Sequence, residues 1–237
     1  MSIAENVDDI RKRIAAVAGR AGRSADEIVL MGVSKTFPVQ SIREAYAAGI
    51  RVFGENRVQE FSEKSNALSS RSSDRPDAAW HLIGHLQSNK AAKAAELFHS
   101  VDSVDSLRLA ERLDTAAAGL NKRLGVLIEI NIGGEAAKSG LAPESIELEQ
   151  LLQAAPRFEH IQIHGLMTIP PFDENPEETR PYFRKLRELR DAVRNRRLPS
   201  MDLDVLSMGM SHDFEIAIEE GSTCVRVGTG IFGRRTN

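Results

Sequence analysis

Leu-Gly-Val-Leu-Ile-Glu-Ile-Asn-Ile, residues 124 to 132, is apolar at nearly every position over a span of strand length. A strand with one wet face alternates apolar and polar residues, whereas a strand covered on both faces need not. The run therefore belongs in a parallel sheet with helices on both sides. Outward from it, similar runs recur at 28 to 34 (Ile-Val-Leu-Met-Gly-Val-Ser), 50 to 53, 80 to 84 (Trp-His-Leu-Ile-Gly), 98 to 101, 161 to 169, 203 to 207 and 223 to 227, which makes eight candidate strands in all.

Helical stretches separate them. Ile3, Val7, Ile10, Ile14 and Val17 recur at helical spacing, so residues 3 to 18 form an amphipathic helix ahead of the first strand, ending at Gly19. Pro38 suits the first turn of the next helix and Gly49 follows its end. Further helices are expected at 89 to 97, 104 to 118, 143 to 154, 177 to 196 and 212 to 220. Continuously apolar strands alternating with helices predict an α/β fold, a single (β/α)8 TIM barrel with an extra N-terminal helix, over residues 1–237 as one domain. A doubly wound open sheet is the alternative. The serine-rich segment 65 to 76 and the proline-rich segment 170 to 181 read as loops.

The chain has 237 residues, 41% hydrophobic and 27% charged, the mixture of a globular protein with a sizeable core. Its apolar runs are too short to cross a bilayer, and the N-terminus lacks the basic start and apolar core of a secretory signal. One cysteine, Cys224, excludes an intramolecular disulfide and fits a reducing, cytoplasmic location. With 31 Lys plus Arg against 34 Asp plus Glu, the net charge is −3, too balanced for nucleic acid to be the main partner. No membrane partner is expected either, and the chain reads as a monomer.

The candidate chemistry lies at the strand ends. Val29, Met31, Val33 and Lys35 share one face of the first strand, so Lys35 continues an apolar row to the C-terminal mouth, where low dielectric favours a neutral, nucleophilic amine. An ordinary exposed strand-end lysine is the alternative. Glu55 and Asn56 follow the second strand, either at the same mouth or as the start of a helix with Asn56 as its cap. The seventh strand runs into Leu-Ser-Met-Gly-Met-Ser-His-Asp (206 to 213), where Ser211 can donate a hydroxyl to a phosphate. After the eighth, Gly228, Thr229 and Gly230 form a turn with exposed amides, and the loops after strands 7 and 8 are where barrels commonly bind phosphate. Arg226 shares its strand face with Cys224 and points inward, where its guanidinium needs an acceptor: a ligand's pyridine nitrogen or a buried carboxylate. A strand-end lysine and a phosphate cradle together suggest a ligand with both a carbonyl and a phosphate, and pyridoxal 5'-phosphate is such a ligand. Cys224 reads as a core residue. His81 and His85 are four apart but lie in a strand-like segment without the carboxylate of a zinc-protease motif, so no metal ligand is assigned.

Taken in order, Val-Ser-Lys-Thr at 33, Phe-Gly-Glu-Asn at 53, Trp-His-Leu-Ile-Gly-His-Leu-Gln-Ser-Asn-Lys at 80, Lys-Ser-Gly at 138, His-Gly-Leu-Met at 164, Leu-Ser-Met-Gly-Met-Ser at 206 and Val-Arg-Val-Gly-Thr at 225 closely resemble the pyridoxal phosphate homeostasis protein family, of the YggS or PROSC type. The resemblance covers nearly the whole chain. It implies a barrel like the N-terminal domain of alanine racemase. Lys35 would be the aldimine lysine, Ser211, Gly228 and Thr229 would meet the phosphate, Arg226 would lie near the pyridine nitrogen, and Asn56 and Met208 beside the cofactor. It also implies a carrier and regulator of free pyridoxal phosphate that affects amino-acid and keto-acid balance and serves apo forms of enzymes needing the cofactor. No catalytic residue is assigned. One position departs: many bacterial members carry a second lysine two residues after the aldimine lysine, and this chain has Phe37, while Lys138 is retained as a secondary contact.

An amino-acid racemase is the competing class. Racemases of the alanine type add a C-terminal β-domain and a catalytic tyrosine, whereas this sequence stops at Asn237 and its tyrosines, Tyr46 and Tyr182, fall away from the expected strand ends. A cofactor-free Schiff-base aldolase would use Lys35 but leave Arg226 without its acceptor.

Overall fold

The computed structural model describes residues 1–69, 77–135 and 137–233. In chain order the elements are α1 (Ile3–Arg20), β1 (Val29–Val33), α2 (Val39–Ala47), β2 (Val52–Glu55), α3 (Val58–Ser69), β3 (Ala79–Leu82), α4 (Ala91–Leu97), β4 (Ser100–Val104), α5 (Leu107–Gly119), β5 (Leu124–Glu129), α6 (Ile146–Ala154), β6 (Ile161–Met167), α7 (Arg180–Asn195), β7 (Met201–Met210), α8 (Phe214–Glu219), β8 (Cys224–Val227) and α9 (Thr229–Phe232). The strands pair in parallel with their sequence neighbours, and β8 pairs back onto β1, so the sheet is a closed barrel rather than an open one.

Two apolar layers follow from strand alternation. Met31 and Val33 pack inside the barrel with Ile83 and Cys224, beside Val52 and Val205. Phe53, Val225 and Val227 face outward into the larger core between strands and helices. There, Phe53 stacks on Trp80 with ring centroids 5.0 Å apart, and Phe61 of α3 bridges Trp80 and Phe98 at 4.6 and 4.7 Å.

α9 is a single turn, too short to cover the seam between β8 and β1. α1 covers it instead, packing against α2, α8 and α9. Its apolar stripe of Val7, Ile10, Ile14 and Val17 is buried. Its polar edges bond across the seam: Asn6 Nδ2 donates to Ile231 O at 2.8 Å and Arg11 to Gly49 O at 2.7 Å. The expected extra helix thus stands where the eighth outer helix of a barrel would be.

Several boundaries differ from the sequence reading for local reasons. β4 extends to Val104, and α5 starts after Ser106, whose Oγ accepts from Leu109 N. Ser145 similarly starts α6 later than residue 143. A 3-10 turn over Pro176–Thr179, capped by Asn175, precedes α7. The segment expected to be a loop from residue 65 is helical as far as Ser69, and residues 70–76 lie outside those described.

β6 and β7 pair irregularly. Ile163 pairs with Met201 but Gly165 with Val205, so β7 spends two extra residues there, with Leu203 at a φ of 54°. A Cβ on Gly165 would lie 2.6 Å from Val205 C and 2.9 Å from its Cα, which only a backbone shift could relieve. Gly165→Ala is expected to cost about 2 to 3 kcal/mol, measured by chemical denaturation; a change near zero would show that β7 yields easily at this bulge.

Candidate functional site

At the C-terminal mouth of the barrel, where barrels carry their sites, lies a cavity of about 480 Å³. Lys35, Asn56, Ser211, Arg226, Gly228 and Thr229 all line it, brought from four strand ends. Val33, Phe37, Ile83, Ile169 and Met210 supply apolar wall. Strongly exposed Phe172, 77% accessible, lies at its rim against His212, with ring centroids 5.5 Å apart.

Lys35 follows the inward row of Met31 and Val33 as expected and is half-buried. Thr36, just after it, has a φ of 66°, in the left-handed region that β-branched residues rarely adopt. Phe37 turns back onto Phe232 of α9, with ring centroids 4.9 Å apart. Asn56 is held close because Gly84 has no side chain: a Cβ there would lie 2.9 Å from Asn56 Cα. Glu55, by contrast, does not face the cavity. It is fully buried on the outer side of β2, accepting from Ser34 Oγ at 2.7 Å and Lys64 Nζ at 2.9 Å. Burial raises its pKa, against the pull of Lys64 and Ser34.

The loops after β7 and β8 meet directly. Ser211 Oγ accepts from Gly230 N at 3.2 Å, which sets a hydroxyl beside the first turn of α9, next to Gly228 and the exposed Thr229. Met208 departs from expectation. It is fully buried in the outer core, and Met210 lines the cavity instead. Alternation along β7 already sends it outward, since Val205 and Ser207 face the interior while Leu206 and Met208 join the outer core. Beyond it Ser207 pairs with Cys224 but Met210 with Arg226, and that extra residue turns Met210 to the cavity. Gly209 makes the bend with a φ of 92°, and a Cβ there would lie 2.5 Å from Ala217 Cβ.

Arg226 is 3% exposed and forms part of the cavity floor. Its guanidinium donates to Ser207 Oγ and to Thr168 O, both at 2.7 Å. These acceptors are neutral. Burial pulls its pKa down, opposed by the acidic Asp102, Asp213 and Glu129 nearby. Cys224 is a buried core thiol whose pKa burial pushes up to about 12.

Glu129 is the residue that sequence reasoning missed. It is 6% exposed at the end of β5, lines the cavity, and accepts from Ser139 Oγ at 3.1 Å. A lone carboxylate in an otherwise apolar run was its available signal. Burial raises its pKa, as does Asp105, while Ser139, Arg226 and His85 lower it. His85, also on the wall, pairs with Asp105 at 2.9 Å, and His81 pairs with Asp102 at 2.9 Å. Among the described residues no group of three or more His, Cys, Asp or Glu could hold a metal ion. Lys138 lies in a neighbouring hollow with Asn131 and Ser139; it donates to Pro170 O at 3.0 Å and pairs with Glu135.

Over residues 6–236 the chain matches the family described as alanine racemase, N-terminal domain. It is 46% identical over 235 residues to the pyridoxal phosphate homeostasis protein of Aquifex aeolicus, covering 99% of each chain. To the protein of that name from Escherichia coli K12 it is 42% identical over 234 residues, covering 98% of this chain and 97% of the other. Among solved structures, PipY of Synechococcus elongatus with PLP (pyridoxal phosphate) bound is similar at a TM-score of 0.83 and 39% identity, covering 98% of this chain and 100% of that one. An alanine racemase of Clostridium difficile is similar at a TM-score of 0.74 and 14% identity, covering 98% of this chain and 58% of that one, a likeness of fold alone.

The raised pKa of Glu129 has a consequence for stability. A carboxyl whose pKa is higher folded than unfolded holds its proton more tightly in the native state, so the associated stability is present below the usual value of 4.5 and is lost as pH rises through the folded pKa. Glu129→Gln cannot ionise and should show a shallower fall of melting temperature between about pH 4 and pH 7 than the native chain. Parallel pH profiles would mean that Glu129 is no costlier to ionise than an exposed glutamate.

Proposed function

Since this chain belongs to the pyridoxal phosphate homeostasis proteins, within the alanine racemase N-terminal domain family, we propose that its cavity holds pyridoxal 5'-phosphate in the service of carrying and regulating the free cofactor. Effects on amino-acid and keto-acid balance follow from that role. The single observation that carries the reading is the convergence on one cavity of a primary amine, a hydroxyl-and-amide turn and a buried guanidinium.

The donor set fits the cofactor's chemistry. Bound there, the cofactor supplies an aldehyde that condenses with a primary amine, and a conjugated ring that absorbs visible light. Lys35 is the amine we assign to that aldehyde. Ser211, Thr229 and the amides around Gly228 are donors suited to a phosphate. Arg226 donates to two neutral oxygens, and a guanidinium carries five N–H donors, so we assign it to an aromatic nitrogen at the cavity floor. Asn56 and the apolar wall flank the ring.

We read the protein as a holder of the cofactor rather than an enzyme. A guanidinium only donates, so Arg226 leaves a pyridine nitrogen unprotonated and the ring a weaker electron sink than an acidic partner would. Racemisation additionally needs an acid or base on the second face. The chain's two tyrosines, Tyr46 and Tyr182, lie on α2 and α7, and neither lines the cavity. In this proposal the unit is one barrel domain, acting as a cytoplasmic monomer and passing cofactor to apo enzymes. Among the described residues no helix is long and apolar enough to cross a membrane.

Lys35→Ala should abolish the visible absorption of the loaded protein, and borohydride reduction followed by peptide mapping should label Lys35. Labelling of Lys138 or Lys90 instead would overturn the assignment. Hydrogen bonds to a charged group contribute roughly 1.5 to 3 kcal/mol, so Ser211→Ala should weaken binding about tenfold or more. Pyridoxal without its phosphate should bind far more weakly than the phosphorylated form, and equal affinity would remove the phosphate assignment.

The absence of turnover has its own test. Loaded protein is incubated with each common L-amino acid in deuterated water and the α-proton followed by NMR. Steady exchange over many turnovers, lost in Lys35→Ala, would show an enzyme.

A further inference from the structure

Lys64 is 9% exposed and stands on α3, behind the wall of the cavity rather than in it. Its Nζ reaches three oxygens: Glu60 Oε1 at 2.7 Å, Ser34 O at 2.8 Å and Glu55 Oε1 at 2.9 Å. Ser34 Oγ donates to that same Glu55 oxygen at 2.7 Å, and Thr36 N donates to that same Glu60 oxygen at 2.6 Å. The residues immediately before and after Lys35 are therefore both tied to one buried ammonium, Ser34 directly and Thr36 through Glu60.

This placement bears on a strained piece of chain. Thr36 sits at a φ of 66°, a conformation that a β-branched residue keeps only when its surroundings impose it. The bond from its amide to Glu60 is such an imposition, and Lys64 in turn fixes Glu60. If the network served only to stabilise the core, its acceptors could lie anywhere on the neighbouring elements. Instead its two backbone contacts are the carbonyl of Ser34 and the amide of Thr36, which flank the one lysine whose direction matters.

We propose that Lys64 is a positioning residue for Lys35: by clamping the turn at the end of β1 it sets the direction from which the Lys35 amine enters the cavity. Glu60 is its intermediary. The proposal rests on the reading of Lys35 as the amine that captures the cofactor's aldehyde.

The test uses the full chain and two ligands. Pyridoxal 5'-phosphate, titrated by its visible absorption, reports capture of the aldehyde. Pyridoxamine 5'-phosphate, titrated by calorimetry, has the same ring and phosphate but no aldehyde, so it reports the rest of the site. Misplacing a reacting group by about 1 Å can cost up to 100-fold, so Lys64→Met should weaken capture of the aldehyde by about tenfold or more while leaving the affinity for the amine form unchanged. Glu60→Ala removes only the hold on Thr36, from a side chain that is partly accessible, and should act in the same direction by a smaller factor.

If Lys64→Met does not fold, as a melting curve would show, the ratio of the two affinities in Glu60→Ala decides alone. Native aldehyde capture in the folded variants, or equal weakening of both ligands, would reduce the network to a core ion pair and overturn the proposal. Failure of the unsubstituted chain to capture the aldehyde, with the amine form still bound, would instead overturn the reading of Lys35 and this assignment with it.

Discussion

The parallel pairing of the first strand with the last is the interaction on which the site depends. Met31 lies opposite Arg226 and Gly32 opposite Val227, so the chain that continues from β1 into Lys35 runs beside the chain that continues from β8 into Gly228 and Thr229. Residues nearly two hundred positions apart in sequence thereby become neighbours. No local preference achieves this. In an open sheet, β1 and β8 would not be hydrogen-bonded to each other, and the amine and the turn proposed to bind the phosphate would belong to different places. α1 reinforces the closure from outside, bonding both to the helix after β8 and to the turn before β2.

Burial then decides which charges the cavity can carry. A guanidinium as deeply buried as that of Arg226 costs several kcal/mol to desolvate, and an opposing carboxylate is the usual compensation. Here the direct acceptors are a hydroxyl and a carbonyl, which satisfy geometry without neutralising charge. The nearby acids act over distance, and burial raises the pKa of both Glu129 and Asp213. A positive floor whose direct partners are neutral favours an acceptor or an anion in the cavity above it. That preference agrees with the hydroxyls of Ser211 and Thr229 and the turn at Gly228 on the adjoining wall.

Composition and periodicity were enough for the eight strands and the barrel, because a strand buried on both faces leaves a continuous apolar signature that helices between strands do not share. They were also enough for Lys35 and Arg226, where strict alternation carries a side chain to a known face. The family resemblance places Met208 beside the cofactor, whereas alternation along β7 puts it outward with Leu206. A register shift and a left-handed Gly209 reverse the faces beyond Met208 and bring Met210 to the cavity, and neither can be read from the identities of the residues. Glu129 was overlooked for a related reason: a single carboxylate in an apolar strand has no periodic partner, and its meaning emerges only when Ser139, His85 and Arg226 are brought near it by the fold. The Lys64 network is hidden more deeply. Its spacing from Glu60 is an ordinary helical ion pair, and only the tertiary structure turns that pair toward the backbone on either side of Lys35.

Phe37 shows how the same loop meets a second demand. A relay of cofactor through two amines, as the family resemblance would allow with a lysine at this position, needs a second amine. In this chain the position works by packing: the ring lies on Phe232, in the single turn that follows Gly228 and Thr229. The stacking joins the loop that bears Lys35 to the loop assigned to the phosphate, from the side opposite Lys64. The β1 turn is thus gripped by an aromatic contact on its far side and by a charged network on its near side. A turn held at both ends, with a strained residue between, suits a lysine that must keep one direction over long residence better than one that must swing through a catalytic cycle. Phe37 offers no amine for a relay, so under the proposed function an aldehyde held by Lys35 would leave from Lys35 itself, to water or to an amine that enters the cavity.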